Sequence, residues 1–148
     1  MNLTNYQIQL LIGRKYEEEA QEIIKTLFKT EIIEIQTDAN YKEVLYDFKT
    51  SDGTTYEIKA DLLSNKTGNF FIEFQNSNYY TGITTTKAKY HIITNGTIYY
   101  LIRTRKIKQL ILFNKYRTGM TKDGSMDYLI PTSHIIEKSE ILKIMDLK

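Results

Sequence analysis

Two carboxylates stand where strands could bring them together. Asp61 closes the run Tyr56-Glu57-Ile58-Lys59-Ala60-Asp61, and Glu73 lies within Phe70-Phe71-Ile72-Glu73-Phe74-Gln75. Carboxylate oxygens at strand ends suit a hard divalent cation, Mg²⁺ or Mn²⁺. Such a cation, with a positioned water and nearby positive charge, is what phosphodiester hydrolysis needs. Other chemistries find less support. His91 and His134 are far apart and cysteine is absent, which disfavours a zinc site. No glycine-rich phosphate loop is present, and nothing resembles a nucleophile elbow.

Both runs alternate at period two and read as β-strands. Tyr56, Ile58, Ala60 and Leu62 point one way, with Glu57, Lys59 and Asp61 on the other side. Phe70, Ile72 and Phe74 oppose Phe71, Glu73 and Gln75 in the same manner. The link Ser64-Asn65-Lys66-Thr67-Gly68-Asn69 is rich in turn formers and predicts an antiparallel hairpin, with Asp61 and Glu73 on one face. Upstream, residues 1 to 12 are expected to form a short strand or an arm broken by Gly13. From about Lys15 to Lys29 an apolar stripe of Tyr16, Ala20, Ile23, Ile24, Leu27 and Phe28 predicts a helix. Its acids Glu17, Glu18, Glu19 and Glu22 suit the positive end of a helix dipole. Residues 31–37 read as a strand or a helix exit and 43–50 as a strand, with Ser51-Asp52-Gly53-Thr54 as a turn.

Downstream, Gly82 to Lys89 predicts a short helix, and Asn95-Gly96 predicts a hairpin between His91–Thr94 and Thr97–Ile102. Residues 105–114 suggest an amphipathic helix and 119–127 a loop. Residues 128–131 are expected to be extended, and 135–147 to end in a helical turn or two.

The order Asp61, about a dozen residues, then Glu73-Phe74-Gln75 resembles the PD-(D/E)XK nuclease superfamily, which includes Holliday-junction resolvases. The resemblance covers roughly the first two-thirds of the chain. It implies an α/β fold with an αβββαβ restriction-endonuclease-like core, a mixed central sheet flanked by helices, in one domain over residues 1–148. It implies Asp61 and Glu73 as ligands of Mg²⁺ or Mn²⁺, with the Phe74 carbonyl a third. Gln75 occupies the position where the family has a water-orienting lysine. Lys59, or preferably Lys87 with Thr84 nearby, would then supply the missing charge. Relatives also place a first-helix glutamate at the metal, four residues after a glycine, which is Glu17 here, with Glu19 next best. The implied activity is that of a metal-dependent DNA endonuclease. A homodimer is expected, since two strands are to be cut.

Charge is distributed unevenly. The net charge is only +2, yet from Gln75 to Lys122 there is no acid and there are nine bases. Residues 1–73 hold 13 of the 18 acids and 8 of the 20 bases. Tyr79, Tyr80, Tyr90, Tyr99, Tyr100 and Tyr116 are interleaved with the bases. That mixture suits phosphate contacts and base stacking, so DNA is the expected partner through Lys59, Lys89, Arg103, Arg105, Lys106, Lys108 and Arg117. Two alternatives stay open: a non-catalytic nucleic-acid-binding module on the same fold, and an assembly protein that meets an acidic partner. No run is apolar enough to span a membrane, and the first residues lack a signal-peptide pattern. A cysteine-free chain fits a reducing compartment, so a cytoplasmic location is expected. The Lys-, Ile-, Asn- and Tyr-rich composition suits an A+T-rich genome such as that of a phage.

Overall fold

The chain opens with a helix rather than the expected strand or arm. In the computed structural model, which describes residues 2–36, 45–121 and 124–142, α1 runs Asn5–Leu27. Thr4 explains the early start. Its hydroxyl accepts the Gln7 amide at 3.1 Å, and the Gln7 side chain accepts the Thr4 amide at 2.9 Å, a reciprocal cap. Gly13 lies inside the helix without ending it. A mid-helix glycine costs only about 1 kcal/mol relative to alanine.

Three antiparallel strands follow, β1 (Ile32–Ile35), β2 (Phe48–Thr50) and β3 (Thr55–Ala60). The turn expected at residues 51–54 joins the last two. Gly53 sits at φ 85°, and Asp52 Oδ1 accepts the Thr50 hydroxyl at 2.6 Å and the Thr54 amide at 3.0 Å. The strand expected from residue 43 begins only at Phe48. Residues 43 and 44 lie outside the described residues, and Leu45 has φ 59°, which is not strand geometry.

The hairpin expected between the Asp61 and Glu73 strands does not form. A short helical turn, α2 (Ser64–Thr67), ends on Gly68 at φ 77° and turns the chain away. β4 (Asn69–Asn76) then enters a second sheet, where it pairs with β9 (Ser125–Pro131) from Asn69 against Pro131 to Asn76 against Ser125. β5 (Tyr79–Tyr80) and β8 (Thr118–Met120) complete the sheet in the order β5-β4-β9-β8. The neighbour that β3 takes instead is β6 (Tyr90–Thr94), in parallel, with Tyr56 beside Tyr90 and Ala60 beside Thr94. His91 to Thr94 are all buried, the pattern a strand covered on both faces requires. β7 (Tyr99–Arg103) returns antiparallel through the expected Asn95-Gly96 turn, Gly96 at φ 99°. β10 (Glu140–Leu142) completes the first sheet in the order β1-β2-β3-β6-β7-β10.

Of the helix expected over residues 82–89, a 3-10 turn at Gly82–Thr84 is present. α3 (Thr104–Phe113) matches expectation closely. The loop expected over 119–127 contains the end of β8 and the start of β9. The expected C-terminal helix is α4 (Thr132–Glu137) followed by β10, and residues 143–147 lie outside the described residues. No helix among the described residues is long and apolar enough to cross a membrane.

The first sheet is mixed and carries a core on each face. Tyr56, Ile92, Tyr99 and Leu101 meet Ala20, Ile23 and Ile24 of α1. On the other face Ile93, Tyr100 and Ile102 meet Phe70, Ile72 and Ile130 of the second sheet. The layers are therefore helix, sheet, sheet in an α/β architecture. Alternation along β6 and β7 decides which residue joins which core.

Candidate functional site

β2 covers β3 only as far as Tyr56. Beyond it, Glu57 to Ala60 have β6 on one side, and on the other no strand among the described residues pairs with them. An amide on that side needs an acceptor. The Ile58 N–H donates to Asp47 Oδ2 at 2.7 Å, while the Asp47 N–H donates to the Tyr56 carbonyl at 2.8 Å. The Asp47 carboxylate thus replaces a main-chain oxygen in the ladder and stands beside Glu57-Ile58-Lys59. Leu45, two residues upstream, is held at φ 59° by bonds from the Lys87 amide at 2.9 Å and the Thr86 hydroxyl at 3.2 Å to its carbonyl. A non-glycine residue there stores about 1–3 kcal/mol of strain, a cost found where placement matters.

Ile58 and Tyr56 pack toward α1, so Glu57 and Lys59 face the second sheet. A cleft of about 1250 Å³ runs past this edge, and Glu17, Asp47, Glu57, Lys59 and Glu73 all line it, each half-buried. Among the described residues no carboxylate lies within ion-pair distance of the Lys59 ammonium. His91, beside Glu57 in register, also reaches the cleft. Burial, aided by the charge of Lys108, pushes its pKa down to about 4, and Nδ1 bonds the Thr104 hydroxyl at 2.8 Å. The ring is neutral at pH 7, so among the described residues Lys59 is the cation of the cleft wall. On the far wall, Gly82 presses on β4: a Cβ there would lie 2.2 Å from the Glu73 carbonyl oxygen, and the residue sits at φ 55°. Only glycine fits.

Comparison of the chain with protein-family models, with curated proteins and with solved structures finds no match.

Asp61 follows a strand of the first sheet, whereas Glu73 lies in the second. Asp61 is not in the cleft wall; its Oδ2 accepts the Phe71 amide at 3.0 Å and ties the end of β3 to β4. Glu73 does border the cleft, but in the other sheet, in register with Asp127 and next to a bulge. The Phe74 carbonyl, expected as a metal ligand, already accepts the Thr81 amide at 3.1 Å and the Thr84 hydroxyl at 2.9 Å. Gln75 is drawn off to close the β4–β5 turn, its amide nitrogen donating to Ser77 O at 2.9 Å. Lys87 is exposed and outside the cleft wall. Glu17 does line the cleft, whereas Glu19 accepts the Tyr99 hydroxyl.

Of the expected DNA-binding bases, Lys59 is in the cleft. Arg105, Lys106 and Lys108 share the exposed side of α3, whose buried side holds Thr104 and Ile107. Lys89 and Arg103 flank the Tyr90 ring, each 5.9 Å from its centre. Arg117 is exposed just before β8.

Asp47 and Glu57 escaped the sequence reading, although their signal was present. Glu57-Ile58-Lys59 is a complete Glu-x-Lys triplet, whereas Glu73-Phe74-Gln75 lacks the lysine. Asp47 precedes it across the Ser51–Thr54 turn, so a hairpin register counted from that turn pairs the two. Among the described residues no group of three His, Asp or Glu side chains is close enough to hold a metal together. Mg²⁺ does not demand one, since it commonly keeps waters and is bound by one or two carboxylates plus substrate phosphate oxygens.

Proposed function

We propose that this chain is a metal-dependent phosphodiesterase acting on DNA, with Asp47, Glu57 and Lys59 at its centre. The observation that carries the reading is the Asp47 carboxylate bonded to the Ile58 amide, which sets it beside Glu57-Ile58-Lys59 in the lining of the cleft. The all-oxygen donor set, two carboxylates beside the Ile58 carbonyl, fits Mg²⁺ or Mn²⁺. When bound, that ion supplies Lewis-acid activation of a phosphate oxygen and of a water. The chain's own contribution is positional. β3 fixes Glu57 and Lys59 on one face, and the Ile58 amide fixes the Asp47 carboxylate. Lys59 sets a positive charge where negative charge develops on the phosphate. Glu17 on α1 and Glu73 on β4 flank this centre from the two sides of the cleft.

This arrangement supports the PD-(D/E)XK resemblance better at Asp47 and Glu57-Ile58-Lys59 than at Asp61 and Glu73. The elements α1-β1-β2-β3 followed by a parallel β6 are compatible with the αβββαβ core, with the Glu-x-Lys strand as the third strand. The test is cleavage of supercoiled plasmid and of a four-way junction in Mg²⁺, Mn²⁺ or EDTA, by the wild type and by Asp47→Asn, Lys59→Ala and Asp61→Asn. Metal-dependent cutting lost in the first two and kept in the third is expected. Cutting that survives Asp47→Asn would overturn the assignment.

A second reading rests on α3. Its basic residues Arg105 and Lys106 lie outside the cleft wall, on a surface of their own. That surface alone would make the chain a DNA-binding module, recognised by salt-sensitive binding without turnover in any metal.

A further inference from the structure

The cleft carries a feature that hydrolysis alone does not require. β5 is two tyrosines long, and both rings are open to solvent, Tyr79 at 75% and Tyr80 at 71% exposure. Both residues also line the cleft that holds Glu57 and Lys59. Their hairpin is firmly built. Tyr80 pairs with Gln75 and Tyr79 with Asn76, and the Ser77 amide donates to the Gly124 carbonyl at 3.2 Å. The Gln75 side chain closes the turn from within. At its foot the Thr81 hydroxyl is buried with no partner among the described residues. Consecutive strand positions project to opposite faces, so the two rings flank the hairpin and do not stack on each other.

We propose that Tyr79 and Tyr80 stack on the bases of an unpaired DNA strand, so that the cleft takes single-stranded DNA, free or at a branch, rather than continuous duplex. This rests on the phosphodiesterase reading for the chemistry, though not for the binding. A phosphate must reach half-buried carboxylates past two exposed rings. A lone strand can bend in and lay its bases on those rings, because every base presents a π-face. In a duplex the bases are already stacked on one another and offer the rings nothing. The sequence around the hairpin is free of acids from Gln75 to Lys122, so a backbone entering here meets no repulsion from that stretch.

The experiment is fluorescence anisotropy in EDTA with a labelled mixed-sequence oligonucleotide, single-stranded or annealed to its complement. The same oligonucleotides are assayed separately for cleavage in Mg²⁺. The wild type is expected to bind the single strand more tightly than the duplex. Tyr79→Ala and Tyr80→Ala are each expected to weaken single-strand binding by about tenfold or more and to erase that preference. Tyr79→Phe and Tyr80→Phe, which keep the ring, are expected to bind like the wild type. Equal binding of the two forms, or alanine variants that bind the single strand as the wild type does, would overturn the inference. Ring-dependent binding without cleavage in Mg²⁺ would support the inference while removing the hydrolase reading. Cleavage of the duplex that ignores both tyrosines would do the reverse.

Discussion

The carboxylate of Asp47 accepts the main-chain amide of Ile58 at 2.7 Å, so one side chain both completes the edge of β3 and stands at the cleft. The two roles can be separated. Asp47→Ala removes the acceptor and is expected to lower stability by about 1–3 kcal/mol, the cost of an unsatisfied amide. Asp47→Asn keeps an acceptor and is expected to fold nearly as well while losing metal-dependent cleavage. Urea unfolding beside the plasmid assay reads both. Equal activity in Asn and wild type would leave Asp47 a structural residue only.

Lys59 has no carboxylate within ion-pair distance among the described residues, so removing it orphans none of them. Lys59→Ala is expected to change stability by no more than about 0.5 kcal/mol. Cleavage is expected to fall by about 10²-fold or more, carried by kcat. Single-turnover rates at saturating protein check this. An unchanged rate would move the positive charge elsewhere.

His91 makes stability depend on pH. Its folded pKa of about 4 lies below the usual value of 6.5, so between the two the unfolded chain binds more protons. The contribution of His91 is therefore complete above about pH 6.5 and declines as pH falls toward 4, by about 3 kcal/mol in all. Urea midpoints at pH 7.5 and pH 5 should drop more for the wild type than for His91→Gln. Parallel drops would show that the ring titrates normally.

Gly82 leaves no room for a side chain between the 3-10 turn and β4. Gly82→Ala is expected to cost about 2 kcal/mol or more, from the positive φ and the clash with the Glu73 carbonyl together. Thermal unfolding measures it. A neutral substitution would mean that the turn can lift off β4 cheaply.

On α3, Arg105, Lys106 and Lys108 lie in the first half of a helix with no acid in its first turn. Positive charge at that end opposes the helix dipole. Changing all three to Gln is expected to stabilise the free protein by a few tenths of a kcal/mol and to weaken DNA binding. The slope of log affinity against log salt should fall by up to about 3 for duplex DNA. An unchanged slope would clear α3 of phosphate contacts.

Local signals in the sequence carried far. The Asn95-Gly96 hairpin, the Ser51–Thr54 turn and α3 follow from turn chemistry and apolar spacing within a dozen residues. What failed was long-range partner choice. Nothing within residues 56 to 75 says that β3 prefers β6 to β4, because that choice depends on the buried run His91–Thr94 and on β9, which begins 49 residues after β4 ends. A hairpin that pairs Asp61 with Glu73 leaves the complete Glu57-Ile58-Lys59 triplet as flank. Of the expected catalytic residues, Glu17 and Glu73 line the cleft, Glu17 because its place on the helix follows from local spacing.

Each ladder closes within its own sheet. Among the described residues the sheets are joined by the contact of Ile72 with Ile93 and their neighbours, by the Asp61 bond to the Phe71 amide, and by the segment from Thr81 to Lys87, bonded to Phe74 at one end and to Leu45 at the other. Apolar contact gives way smoothly with distance, whereas a hydrogen bond is either made or lost. Asp61 is therefore one hasp on a seam: fastened, it helps to keep the carboxylates of one sheet in step with the tyrosines of the other.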